Sequence, residues 1–389
     1  RAIVSISSLS AGSSDCDSAS AALRWIVVGM TSLLLWPRLM WSLGWIGVWA
    51  ELAAEIPEVD HFLGLDELEK APAAALGLPS LARFTAKPLA TRLYDDLAPR
   101  VLTGRRGYAY LKVAEGCNNP CTFCTIPQMR GLQRSRSVES LVREAQGLEA
   151  QGVSELVLIS QDTTRYGEDL GLGREGLAKL VAALLRETGF PWVRFLYAYP
   201  KTLHDSVIEL MAAEPRFVSY VDIPLQHVSR SVLAGMRRGG DPESCLRVVE
   251  RLRTAVPGIA LRSTFIAGFP GEGDAEHEEL LAFVKAAELD HVGVFPYSPE
   301  PGSGAESLGD PVPAPVKGER CAAVMEQQRE ISRRKNRGLR GKVHDAILEG
   351  DLLAPRHEVN EHLRSDVDEK IDPCPSSSAR TSSAFVRLP

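Results

Sequence analysis

From residue 107 onward, short apolar runs and helical stripes take turns along the chain. Residues 108–114, 156–160, 193–199, 218–225, 259–267 and 292–297 have the length and the β-branched or aromatic content of strands. Between them, 138–150, 177–188, 203–213, 243–254 and 275–287 place apolar residues every three or four positions, the spacing of a helix with one buried face. Strands and helices in alternation pair in parallel through right-handed crossovers. Six such units suit a partial (β/α) barrel, because a closed eight-stranded barrel takes about 250 residues. The fold class is therefore α/β, with chemistry expected at the C-terminal strand ends. Polar and glycine-containing sequence falls there: 115–124, 161–166, Gln226 with His227, and 268–272.

The flanks have a different texture. Residues 1–22 are rich in Ser, Ala and Gly, and 25–49 is an apolar stretch with five of the six tryptophans. That stretch has the length of a membrane span. Pro37 and Arg38 in its middle oppose one, by removing a backbone donor and by placing a charge in the bilayer. Residues 51–65 read as an amphipathic helix and 72–100 as an Ala/Pro/Leu connector. The prolines of 311–315 precede a charged helix at 316–340, and the Ser/Arg-rich tail is expected to be disordered. The expected domains are an atypical segment at 1–50, an N-terminal domain remnant and linker at 51–106, the barrel at 107–312, a helix at 313–341 and a tail at 342–389.

With 389 residues, 44% of them hydrophobic, the chain has material for two or three domains and at least one large core. A net charge of -6 excludes a general nucleic-acid coat protein, which needs an excess of cations to neutralise phosphates. Seven cysteines, three of them within eight residues, do not form the framework of a small secreted domain. A reducing, cytoplasmic setting is expected, with no membrane attachment.

Cys117, Cys121 and Cys124 follow the first predicted strand. Three thiolates on one tight loop can bind three irons of a four-iron four-sulfur cubane and leave the fourth open to a ligand. A zinc site built on Cys121 and Cys124, or a redox pair, is the competing reading of the same residues. Cys245 and Cys321 are lone residues on helical stripes, where a small buried hydrophobe is the commoner role.

The three-cysteine loop, with Phe123 before its last thiol, resembles the radical S-adenosylmethionine (SAM) superfamily. More narrowly, Tyr110-Leu-Lys-Val-Ala-Glu-Gly-Cys117, Arg130-Gly-Leu-Gln-Arg-Ser-Arg136, Asp222-Ile-Pro-Leu-Gln-His227 and the run Arg262 to Glu272 resemble methylthiotransferases, over 51–341. Ile159-Ser-Gln-Asp-Thr163, Leu196-Tyr-Ala-Tyr-Pro200 and Tyr297-Ser-Pro-Glu-Pro-Gly302 are similar to the branch that modifies a ribosomal protein. The resemblance implies methylthiolation of the β-carbon of an aspartate in small-subunit ribosomal protein S-twelve. It implies a 4Fe-4S cluster on Cys117, Cys121 and Cys124, SAM as cofactor, the ribosomal protein or ribosome as partner, and an electron donor such as flavodoxin. Cofactor-orienting roles fall to Gln161, Gln226, Arg262, Thr264 and the Gly268 turn, each of which could instead serve the barrel backbone. Arg262 is read as a fork for a carboxylate. The run Arg130, Arg134 and Arg136 is read as a substrate or cluster contact, or as solvated.

Two departures stand beside the likeness. The family's N-terminal domain holds a second 4Fe-4S cluster on three cysteines, whereas the N-terminal region here offers Cys16 alone. The family's C-terminal β-barrel is not recognisable after Gly341. A shifted reading frame on both sides of an intact core is the expectation for these flanks. The alternatives to a ribosomal-protein enzyme are a tRNA methylthiotransferase and a catalytically incomplete binding protein that keeps the barrel.

Overall fold

The computed structural model describes residues 107–339 continuously, with the short segments 3–6, 24–28, 61–63, 67, 70–75, 92–97, 100–102, 344–347 and 385–388. Six strands carry the fold: β1 (Tyr108–Lys112), β2 (Glu155–Ile159), β3 (Trp192–Phe195), β4 (Tyr220–Asp222), β5 (Ala260–Ala267) and β6 (His291–Pro296). All pair in parallel. Tyr108 stands opposite Glu155, Leu156 opposite Val193, Asp222 opposite Arg262 and Thr264 opposite Gly293. Between β3 and β4 the ladder thins to a bridge from Val193 to Phe217, supplemented by a 2.8 Å bond from Ala198 N–H to the Asp222 carbonyl. Spatial order thus follows chain order, as right-handed crossovers produce.

The crossovers are α1 (Val138–Ala150), α2 (Gly176–Glu187), α3 (Asp205–Ala213), α4 (Pro242–Ala255) and α5 (Asp274–Ala287), and α6 (Ala314–Arg337) follows β6. Their stripes are the predicted ones. On α2, Leu177, Leu180, Val181 and Leu184 are buried, each contributing about 1.5–3 kcal/mol on transfer from water. Local caps set the helix starts: Ser137 accepts from Ser140 N–H before α1, and Asp241 with Ser244 forms a capping box before α4.

Strand β5 shows how the sheet is dressed. Leu261, Ser263, Phe265 and Ala267 are buried, and Phe265 meets Phe283 of α5 edge-on at 6.2 Å. By the two-residue period of a strand, Arg262, Thr264 and Ile266 point the other way, away from the helices.

β3 and β4 end earlier than their apolar runs predict. Tyr197, two residues past β3, has a φ of 63°, which takes the chain out of the extended region; past β4, Pro224 has no N–H for the ladder, and Gln226, with φ of 71°, rejoins β5 as a bridge opposite Phe265. His61–Leu63, inside the predicted amphipathic helix, is a strand that pairs in parallel with Arg24–Val28, a case of partner pairing overriding local preference. In the tail, His344–Ile347 pairs antiparallel with Phe385–Leu388 where no strand was expected. Most of the apolar stretch 25–49 and the rest of the tail lie outside the described residues, as do Cys16 and Cys374. No helix among the described residues is long and apolar enough to cross a membrane.

The residues form two compact units. One holds 1–92, 117–132 and 298–309; the other holds 93–116, 133–297 and 310–389, including all six strands. The thiol loop therefore groups with the segment after β6, each unit having its own internal packing.

Candidate cluster loop and cofactor face

The thiol loop is closed at its base by Cys117 N–H to the Gly131 carbonyl, 3.1 Å. Within it, Cys124 N–H bonds the Cys121 carbonyl at 3.2 Å, and Pro127 helps start the one-turn helix Ile126–Arg130. Cys117 is buried and its sulfur accepts from Asn119 N–H at 3.4 Å, while Cys121 and Cys124 are half-buried. Such N–H donors to a thiolate sulfur stabilise its charge and tune a cluster's potential. Segment 298–309 braces the loop: Ala305 N–H reaches the Thr122 carbonyl at 2.7 Å, and Gln128 Nε2 reaches the Gly302 carbonyl at 2.7 Å.

The donor set fits a cubane: three soft thiolates on one loop, one of them already hydrogen-bonded. Among the described residues no three His, Cys, Asp or Glu side chains gather at single-ion spacing. The three ligands of a cubane serve separate irons and stand further apart than the ligands of one zinc ion.

In the other unit, the β4 and β5 ends bring three of the expected cofactor residues together. Gln226 N–H bonds the Thr264 carbonyl at 2.8 Å, and Ile266 N–H bonds the Gln226 carbonyl at 2.7 Å. Gly268 follows two residues on, with φ of 78°. A methyl group there would run into the Lys317 side chain, so glycine is required by packing as well as by conformation. Gln161 Nε2 donates to Glu115 Oε1 at 3.2 Å, and its buried Oε1 has no hydrogen-bond partner among the described residues. That acceptor is the orphaned polar atom a cofactor donor would satisfy.

Arg262 is placed differently. It sits opposite Asp222 and His291 in the middle of the ladder, Nε 3.7 Å from Asp222 Oδ1, with its side chain 48% exposed. Partial burial opposes its charge, but the Tyr220 hydrogen bond and the oxygens of Asp222, Tyr220 and Tyr197 outweigh this and raise its pKa. Burial raises the Asp222 pKa, against the pull of Tyr197 N–H and Arg262. The basic run resolves into neither expected role at Arg136, which is buried, pairs with Glu144 and donates to the Lys112 carbonyl at 3.1 Å.

Behind the Gly268 turn lies a buried ionic cluster that sequence reading did not find. Glu272 Oε2 accepts Gly268 N–H; Arg320 Nη1 donates to the Glu272 carbonyl at 2.9 Å and lies 3.3 Å from Oε1. Lys317 Nζ donates to the Tyr297 carbonyl at 2.8 Å and pairs with Asp310. His227 is fully buried, its Nδ1 accepting from Ser229 N–H at 3.0 Å and its Nε2 3.8 Å from Glu272. Burial, reinforced by His277, pushes its pKa down to about 4, so it is neutral at physiological pH.

A thiol loop following the first strand of an in-order parallel β/α sheet defines a class, and the Radical SAM superfamily profile matches residues 111–284. The ribosomal protein uS12 methylthiotransferase RimO of Solibacter usitatus is 45% identical over 302 residues, covering 77% of this chain and 64% of that protein. RimO of Koribacter versatilis is 47% identical over 258 residues, covering 66% and 51%. RimO of Moorella thermoacetica is 42% identical over 340 residues, covering 85% and 76%. The chain belongs to this methylthiotransferase family, whose cofactors are a 4Fe-4S cluster and SAM. It spans 64% and 51% of the length of the first two relatives. Among solved structures, Escherichia coli coproporphyrinogen III oxidase aligns with a TM-score of 0.42 and 16% identity, over 59% of this chain and 53% of that one.

Proposed function

We propose that the chain is a radical SAM methylthiotransferase that adds a methylthio group to the β-carbon of an aspartate in ribosomal protein uS12, in the cytoplasm. Family membership at 42–47% identity, together with an intact thiol loop, carries this reading. Cys117, Cys121 and Cys124 hold the cluster. Gln161, Gln226, Thr264 and the Gly268 turn hold SAM. When bound, cluster and cofactor supply one-electron cleavage of the sulfonium, with an electron from a donor such as flavodoxin. The protein's part is to bind and aim them: Gln161 Oε1 accepts a cofactor N–H, Gln226 and Thr264 present polar groups from adjacent strands, and the turn offers open backbone beside Gly271.

Cofactor cleavage and sulfur delivery are separable steps. The first needs one cluster; in the family pattern the second needs three more thiols, and residues 1–106 contain Cys16 alone. Anaerobically reconstituted protein is therefore incubated with SAM, reductant and uS12. Release of 5'-deoxyadenosine reports the first step, and a gain of about 46 Da on uS12 reports the second, the mass of a methylthio group replacing hydrogen. A gain on tRNA in place of uS12 would sink the substrate assignment, and zinc in place of iron would sink the chemistry.

A further inference from the structure

The side of the sheet turned away from the helices is not apolar. Glu155, Arg194, Tyr220, Asp222 and Arg262 line it across β2 to β5. Arg194 binds Glu155 at 2.8 Å and stacks 5.0 Å from the Tyr220 ring centre. Arg194 is thereby committed, whereas Arg262, which shares a hydrogen bond with Tyr220 and lies 3.7 Å from Asp222 Oδ1 through Nε, keeps nearly half its side chain exposed.

Beside it stands Tyr197. A bulky residue at φ 63° is held against its conformational preference, at a cost of about 1–3 kcal/mol, and such strain persists only where surrounding bonds over-determine it. Three bonds do so. Tyr197 N–H reaches Asp222 Oδ2 at 3.2 Å, the next N–H reaches the Asp222 carbonyl at 2.8 Å, and the Tyr197 carbonyl accepts from Thr163 N–H at 3.1 Å. The residue held this way is 47% exposed. Its backbone N–H and the Arg262 Nε approach the two oxygens of one carboxylate, Asp222 Oδ2 at 3.2 Å and Oδ1 at 3.7 Å. Asp222 thus anchors both residues at once.

Position separates this pair from the cofactor turn. Arg262 precedes Gly268 by six residues, roughly 20 Å at about 3.3 Å per residue, and precedes Thr264 on the same face by two, roughly 7 Å, so it borders the cofactor residues at their deep end. A guanidinium so far down the strand faces whatever reaches into the sheet, rather than a group held at the turn. It is a half-exposed cation with a planar fork of donors, backed by a buried carboxylate that already has other donors. That chemistry suits a carboxylate.

We propose that Arg262 and Tyr197, positioned by Asp222, form the receptor for the carboxylate of the substrate aspartate, so that they select the side chain to be modified. This rests on the protein-aspartate reading above. It moves Arg262 from the cofactor to the substrate and makes Tyr197 a specificity residue.

The test is equilibrium binding by the reconstituted, SAM-loaded protein of two peptides of the uS12 target segment, one with the aspartate and one with asparagine in its place. The wild type binds the aspartate peptide at least tenfold more tightly. Arg262→Gln brings that ratio to within about twofold, Arg262→Lys leaves an intermediate ratio because charge survives without the fork, and Tyr197→Phe lowers it about threefold. Equilibrium binding of S-adenosylhomocysteine, measured alongside, stays within twofold of wild type in all three. A wild type that binds both peptides equally overturns the proposal and leaves the substrate reading standing. Arg262→Gln that weakens S-adenosylhomocysteine binding and keeps the peptide ratio returns Arg262 to the cofactor and also overturns it. Binding of neither peptide by the wild type overturns the substrate reading itself, and this proposal with it.

Discussion

The thiol loop and the Gly268 turn are both short, glycine-bearing segments assigned to cofactors, yet they are secured in opposite ways. The described bonds of the loop run mostly between backbone groups, within 117–131 and to 298–309. The turn is held by charged side chains, buried Glu272 with buried Arg320 and buried Lys317 with the more exposed Asp310. A segment whose function is to present ligands needs its side chains for the metal and its backbone for shape. A segment that presents backbone to a ligand must be locked by its side chains instead. Disabling the first should therefore abolish function with little effect on folding, and disabling the second should cost stability first.

The sharpest contrast comes from Cys117→Ala. It should abolish iron retention after anaerobic reconstitution and with it all 5'-deoxyadenosine release, while the urea midpoint of the iron-free protein moves little. An unchanged iron content would break the comparison at its root. Arg320→Met leaves Glu272 buried without its cation, and breaking such a pair costs about 3–5 kcal/mol, read as a fall in the urea midpoint. The paired change Arg320→Met with Glu272→Gln should recover part of that loss.

The next effect is a pH dependence. His227 has a folded pKa of about 4 against 6.5 when unfolded, so the unfolded chain takes up its proton first. Its contribution is fully present above pH 6.5 and is lost as pH falls from 6.5 toward 4, by as much as about 3 kcal/mol. Urea melts at pH 7 and pH 5 measure it, and His227→Gln should flatten the slope. Gly268→Ala should cost about 2–3 kcal/mol, combining a left-handed backbone with a clash against the stem of Lys317, whose Nζ is tied to Tyr297 and Asp310. Least of all, Asp241→Ala removes a cap remote from both segments and should cost about 1 kcal/mol, a baseline for the others.

The same contrast decides what the sequence makes legible. The thiol loop is readable because its ligands lie within eight residues, and α1 to α5 are readable because their buried stripes are apolar. The buried stripe of α6 consists of Lys317, Arg320, Val324, Gln328 and Ile331, so hydrophobic periodicity is blind to most of it. Arg320 resembles its neighbours Arg329 and Arg333, which pair with Glu326 and Glu330 on an exposed face. Nothing local distinguishes them, because its partner lies far back in the chain. The early end of β3 is hidden for a related reason: Tyr197 continues an apolar run, and only its bonds with Asp222 and Thr163 turn the chain away.

The distance between Glu272 and Arg320 also sets a timetable. They are 48 residues apart, about 2–10 s of translation at about 5–20 residues per second. For the last 36 residues of that interval the whole of the 111–284 superfamily match has been made, yet the carboxylate behind the cofactor turn still waits for its cation. A nascent chain stalled before α6 would hold a complete set of cofactor residues in an unfinished seat, and SAM protection against proteolysis should begin only once Arg320 has left the ribosome.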